Sequence, residues 1–263
     1  MTQVKDSVRK YGQPPYRIGL LHGGPGAAGE MKPVAVKLSD NLGILELLQT
    51  ERSVTGQVEE LHRQLLSYAG LPVTLVGYSW GAWLGLLFSA AYPDMVSKLI
   101  LISSGSLESR YNQDLMKIRQ GRMSAQEQDK LQKLMLLISS GNTDNETMAC
   151  FGELISKADS YEPVPEPNDI DPDMDIFKSV WAEASQMRES GELISRVSGI
   201  KCPVVAIHGR YDPHPAEGVE KPLSERLPGF RMIYLDKCGH TPWLEKSAGD
   251  LFYELLRKEL MEK

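Results

Sequence analysis

Three cysteines in 263 residues, Cys150, Cys202 and Cys238, are too few and too irregularly placed for a disulfide framework or a Cys-x-x-Cys motif. They read as buried thiols of a reducing compartment. Long hydrophobic runs are missing too. The longest, Ala82 to Ala91, is interrupted by Gly85 and Ser89 and is too short to span a bilayer, so it reads as a core helix. Met1 to Tyr16 carries Lys5, Arg9 and Lys10 with no apolar segment behind them, so no secretory signal is expected and the chain is assigned to the cytoplasm, with no membrane partner. Basic blocks are absent and the net charge is -6, which excludes the electrostatic footprint of a nucleic-acid binder. The five histidines are scattered, without a close pair of ligating spacing, so neither a metal nor any other cofactor is expected. There is no internal repeat or low-complexity tract.

What is present is an ordinary globular composition, 41% hydrophobic and 24% charged, in a chain long enough to bury a substantial core. Short apolar, β-branched runs alternate with helical patterns at both ends of the sequence, the signature of an α/β fold with a mostly parallel sheet flanked by helices. The strand candidates are Arg17 to Leu21, Gly43 to Leu48, Pro72 to Val76, Lys98 to Ile102, Pro203 to His208 and Arg231 to Leu235. Between them, Val58, Leu61, Leu65 and Tyr68 share one helical face before Gly70, and a last helix is expected from about Ser247 to Leu260.

The middle differs. No convincing strand falls between about Leu107 and Gly199, but Ser124 with Glu127 and Thr143 with Glu146 read as helix starts of capping-box type, and Leu131, Leu134, Met135 and Ile138 recur at helical spacing. The expected organisation is therefore a core of residues 1–106 and 200–263 with a helical cap over 107–199. Within that cap, Asp159 to Asp175 is acidic and proline-rich, a composition that suits a solvated surface loop or hinge.

Chemistry centres on Gly77-Tyr-Ser-Trp-Gly81, which lies between an apolar strand and an apolar helix. A Gly-x-Ser-x-Gly match alone arises often by chance; its strand-turn-helix setting is what exposes a serine oxygen and leaves space only for glycine at 77 and 81. A serine hydroxyl is a weak nucleophile until a base takes its proton and an acid orients that base. In a parallel sheet these groups come from loops at the carboxyl ends of strands. His240 follows the strand Arg231 to Leu235, and Asp212 follows Pro203 to His208, giving the order Ser, Asp, His. His214 would share the acid's own loop, His208 ends a strand, and His62 sits among polar helix residues. Asp236 is more plausible as a turn residue. A second loop, His22-Gly-Gly-Pro-Gly26, follows an early strand and exposes backbone amides; Gly23 or Gly24 with the amide of Trp80 would form a two-donor oxyanion cradle. Of the tryptophans 80, 83, 181 and 243, only Trp80 is expected at the pocket rather than in the core.

Taken together, His22-Gly-Gly-Pro-Gly26, Gly77-Tyr-Ser-Trp-Gly81, Asp212 and Gly239-His240 resemble the α/β-hydrolase family, and the first two motifs are similar to its proline iminopeptidase-like branch. The resemblance covers about two thirds of the chain. It implies Ser79 as nucleophile, His240 as base, Asp212 as orienting acid, and Gly24 and Trp80 as amide donors. About sixteen residues precede the first clear strand, so one or both of the family's leading strands should be missing, and Gln49 to Ser53 stand where the family carries an Asp-x-Arg-Gly-type segment. The resulting expectation is a serine hydrolase of a small molecule or short peptide, either a carboxylesterase or an aminopeptidase. No cap acid among Glu153, Glu166, Glu183, Glu189 and Glu192 can be assigned to a substrate amine from sequence. Alternatives are a lyase using the same triad and a non-catalytic binding protein that kept the fold.

Overall fold

The computed structural model describes residues 7–140, 144–165, 170 and 172–262. Seven strands form one sheet: β1 (Val8–Tyr11), β2 (Tyr16–Leu21), β3 (Gly43–Leu47), β4 (Val73–Tyr78), β5 (Val96–Ile102), β6 (Val204–Gly209) and β7 (Arg231–Leu235), in the order β1-β3-β2-β4-β5-β6-β7. All pairings are parallel except that of β1 with β3. The six expected strands are all present to within a few residues. Among the described residues one strand precedes β2, the four-residue β1, whose Arg9 and Lys10 are exposed and leave no apolar alternation to read.

The helices are α1 (Lys32–Leu38), α2 (Val54–Tyr68), α3 (Trp80–Ala91), α4 (Leu115–Gly121), α5 (Ala125–Ser139), α6 (Asn145–Asp159), α7 (Met174–Glu189), α8 (Glu192–Arg196), α9 (Glu217–Arg226) and α10 (Gly249–Met261). Side chains alternate across the sheet as the two-residue period requires. Leu99 and Leu101 of β5 point into one core with Leu61 and Leu65 of α2, Leu84 and Phe88 of α3, and Val180 of α7. Ile100 and Ile102 point into the other, with Val34 and Leu38 of α1 and Phe252 and Leu256 of α10. Helices on both faces leave only the strand ends open, and the loops at the carboxyl ends of β2, β4, β6 and β7 meet there.

Between β5 and β6 the described residues contain helices and no strand of that sheet. α5 starts at the expected capping box: Ser124 accepts from the Glu127 amide while Glu127 reaches back to the Ser124 amide. Leu131 and Leu134 of α5 then pack on Leu154 and Ala158 of α6 in a small core of their own. Thr143 lies outside the described residues, and the cap of α6 is Asp144, which accepts from the Thr147 amide. Three expectations about these elements need adjustment. Tyr68 is exposed, with the Lys10 ammonium over its ring, and does not join the buried face of Val58, Leu61 and Leu65. The final helix starts two residues later than expected, at Gly249. Asp159 to Asp175 is not a uniformly solvated loop: Asp159 is buried, residues 161–164 are bonded to the chain after β7, and Asp173 caps α7. Glu166, Pro167, Asp169 and Asp171 lie outside the described residues. No helix among the described residues is long and apolar enough to cross a membrane.

Candidate active site

β4 runs straight into α3, and the residue at the junction, Ser79, is held at φ 51 and ψ -109, a conformation that costs a non-glycine residue roughly 1–3 kcal/mol. Its amide donates to Ile102 O at 2.9 Å, which fixes the turn to β5. The flanking glycines are steric necessities: a Cβ at Gly77 would stand 2.2 Å from Gly81 O, and one at Gly81 would stand 2.4 Å from Leu21 O. Trp80 begins α3, so its amide lies in the first turn, where helix N–H groups lack internal acceptors.

His240 and Asp212 reach this junction from the loops after β7 and β6. His240 Nδ1 lies 2.7 Å from Asp212 Oδ2, and its Nε2 lies 3.1 Å from Ser79 Oγ. A carboxylate can only accept, so Nδ1 carries the proton and Nε2 is left free to take one from the serine. Burial pulls the imidazole pKa down, but the charge and hydrogen bond of Asp212 and the charge of Asp159 outweigh it, and the net shift is upward. Asp212 is itself enclosed by three imidazoles. Burial raises its pKa, yet His240, His214 and His208 together hold it well below the usual carboxylate range. His214 directs both its amide and Nδ1 to Asp212 Oδ1, each at 2.9 Å, and is therefore committed to the acid, not to Ser79. His208 donates from Nε2 to His214 O at 2.9 Å. Burial keeps both of these histidines below their ordinary pKa.

The glycine-rich turn after β2 is tied from below. His22 Nδ1 donates to Gly23 O at 2.7 Å and its Nε2 accepts from Gln49 N at 3.4 Å, a neutral tautomer fixed at both ends. Gly23 packs on Tyr78 and on Glu30, whose Oε2 is enclosed without a hydrogen-bond partner. Burial pushes the Glu30 carboxyl up to about 7, against the pull of His240. The Gln49 to Ser53 segment is held by Glu60, which accepts from the amides of Thr50 and Glu51.

Above the serine lies a cavity of about 670 Å³ lined by Ser79, Gly24, Trp80, His240 and His214 from the sheet side and by residues of α4, α5, α6 and α7 from the other. Its wall is mostly apolar. Trp83 and Trp181 both line it: Trp83 is also buried in the core, as expected, whereas Trp181, contrary to expectation, lies outside the core, partly exposed, and stacks on Trp83 at 5.8 Å. Trp243 does lie in the core, edge-on to Tyr78. Arg119 grips Asp159 through two parallel hydrogen bonds of 2.7 and 2.5 Å.

A further acid escaped sequence reading. Glu245, almost fully buried, accepts from the amides of Gly239, Tyr161 and Glu162 at 2.8, 2.8 and 2.7 Å, and so binds the end of α6 to the loop that carries His240. The amide of His240 also donates to Asp159 O at 2.8 Å. Only its place a few residues after His240 could have pointed to Glu245.

Comparison with known proteins gives the family of the fold that carries this arrangement. Residues 20–255 match the model of the Alpha/beta hydrolase family. The chain belongs to that family. Among relatives of this hydrolase, a proline iminopeptidase of Lactobacillus crispatus (strain ST1) is 25% identical, covering 92% of this chain and 88% of the relative. The monoacylglycerol lipase ABHD6 of Homo sapiens is 23% identical over 81% of this chain and 63% of its own length. Among solved structures, that of VinJ superposes with a TM-score of 0.72 at 21% identity, covering 96% of this chain and 93% of the other. The first of these relatives agrees with the resemblance carried by the His-Gly-Gly-Pro-Gly and Ser-Trp-Gly motifs.

Proposed function

We propose that this α/β hydrolase is a serine hydrolase acting through an acyl-enzyme on Ser79, and that its preferred bond is a carboxylic ester. The observation that carries the reading is the continuous hydrogen-bonded line from Ser79 Oγ through His240 to Asp212. Ser79 Oγ attacks the substrate carbonyl as His240 Nε2 takes its proton, and the oxyanion that forms is met by the Trp80 amide and that of Gly23 or Gly24. Collapse expels the alcohol, protonated by His240, and leaves the acyl group on Ser79. Water, deprotonated by the same nitrogen, then attacks the acyl carbonyl and releases the acid. Asp212 keeps His240 in the required tautomer and stabilises the imidazolium. Residues 107–199 act as a cap that shapes the acyl or alcohol pocket.

An aminopeptidase is the second reading, favoured by the likeness to a proline iminopeptidase. Against it, the acid on the cavity wall, Asp159, is already spent on Arg119, so no free carboxylate among the described lining residues meets a substrate ammonium. Labelling with a fluorophosphonate probe tests the nucleophile: the wild type is labelled and Ser79→Ala is not. Equal labelling of both sinks the assignment. Aryl esters compared with prolyl and alanyl anilides decide the bond type; faster anilide turnover that requires a free amine would establish the peptidase.

A further inference from the structure

The cavity wall carries a cation that the protein leaves unanswered. Phe177, Trp181 and Arg188 stand at i, i+4 and i+11 on α7, which places them on one face, and all three line the cavity above Ser79. Arg119, the other arginine on the wall, is fully engaged by Asp159. Arg188 has no such partner. Among the described residues no carboxylate pairs with it, and its enclosed Nε makes no hydrogen bond within the protein. Of the nearby acids on α7, Glu183 is occupied by the Val54 amide at 2.7 Å, and Glu189, next in the chain, is exposed to solvent.

What does hold the guanidinium is aromatic. It lies 5.4 Å from the centre of the Trp83 ring, beside Trp181, which is stacked on the same ring. Trp83 in turn is fixed by donation from its Nε1 to Gly105 O at 3.0 Å. A planar fork held over an aromatic ring in this way is restricted in advance, and its N–H groups are matched to the two oxygens of a carboxylate. A substrate ammonium, by contrast, would meet like charge here.

We propose that Arg188 receives a carboxylate carried by the substrate, so that the hydrolase acts on esters whose acyl or alcohol part is apolar near the scissile bond and anionic at its far end. This rests on the serine-hydrolase reading above and names its substrate class. The apolar wall between Ser79 and α7 takes the hydrocarbon or aromatic body, and Arg188 takes the acid at the end.

Two ester pairs locate the anion. The hemiglutarate p-nitrophenyl ester against the pentanoate places it on the acyl side; the acetyl ester of hydroxyphenylacetate against that of its amide places it on the leaving side. In one pair, Arg188→Gln is expected to lower the anionic-to-neutral ratio of kcat/KM by roughly 10- to 100-fold, with Arg188→Lys restoring part of it. A binding measurement runs in parallel in Ser79→Ala, where phenylbutyrate and phenylbutanol are titrated against tryptophan fluorescence. The acid should bind at least about tenfold more tightly than the alcohol, and Arg188→Gln, or Arg188→Lys if the glutamine variant does not fold, should narrow that gap. Unchanged ratios in both ester pairs, with equal binding of acid and alcohol, would overturn the proposal while leaving the nucleophile in place. Failure of every ester to be hydrolysed counts against the serine-hydrolase reading instead, and the binding titration still decides the role of Arg188.

Discussion

Replacing Glu245 by alanine should unlace the end of α6 from the loop that carries His240. Three backbone amides lose their acceptor at once: Gly239, which is buried, and Tyr161 and Glu162, which are partly so. Leaving a buried donor without a partner costs about 1–3 kcal/mol, and the two partly buried donors, which water can reach, cost about 1 kcal/mol each, so the loss is about 3–5 kcal/mol. That is a large share of the roughly 5–15 kcal/mol that holds a typical domain together. Glu245→Gln gives a finer scale. An amide oxygen in place of Oε1 keeps Gly239 and Tyr161, while the NH₂ group faces the Glu162 donor, so its cost should be nearer 1–2 kcal/mol, about that of one lost bond with some repulsion. Urea unfolding followed by tryptophan fluorescence reads the order wild type, Gln, Ala. Turnover of an aryl ester by the folded Ala variant should also drop by roughly tenfold or more, because Gly239 positions His240 and small misplacements of a base are expensive. If the Ala variant unfolds at the wild-type midpoint and turns over normally, the three amides find other partners and the lacing has no energetic role.

Two further outcomes follow from the titrating groups. On the proposed mechanism the base is neutral His240, whose pKa lies above its ordinary 6.5, so kcat/KM should decline as pH falls through a value above 6.5; in Asp212→Asn the acid limb should move to lower pH and turnover should drop by about 10⁴-fold. A pH-rate series on both proteins checks it, and an unmoved limb would count against Asp212 as the cause. Glu30, pushed up to about 7, contributes stability that is present at low pH and lost as pH rises from about 4.5 through 7, so Glu30→Gln should gain on the wild type by about 2–3 kcal/mol between pH 5 and pH 8. Equal pH dependence of the two in chemical denaturation would refute this.

Much of the core could be read from the chain because its signals are local. The apolar runs that became β2 to β7, the glycines at 77 and 81, and the positions of Asp212 and His240 just past strand ends are each visible within a few residues, and the parallel sheet converts those positions into one edge. β1 was missed because a short edge strand needs only one partner and keeps polar side chains. The cavity wall depended on how helices cross. Periodicity shows that Trp181 lies on a helix, but not that α7 brings it over Trp83; the acidity of the stretch after Asp159 suggested water, although Tyr161 and Glu162 are bonded to a buried glutamate 84 and 83 positions away. Arg119 and Asp159 likewise carry no mutual signal, being 40 residues apart and on different helices.

The order of strands in the sheet also has a consequence for how activity emerges during synthesis. β1 to β5 are contiguous in sequence and adjacent in the sheet, so the first 102 residues contain Ser79 and the turn at Gly23 and Gly24 on strands that can pair with one another alone. Asp212 and His240 come with β6 and β7, added at one margin after the intervening helices have left the ribosome. On the mechanism proposed above, a growing chain therefore displays Ser79 before either partner that would activate it, and the assembly is complete only once β7 and the loop after it have been made.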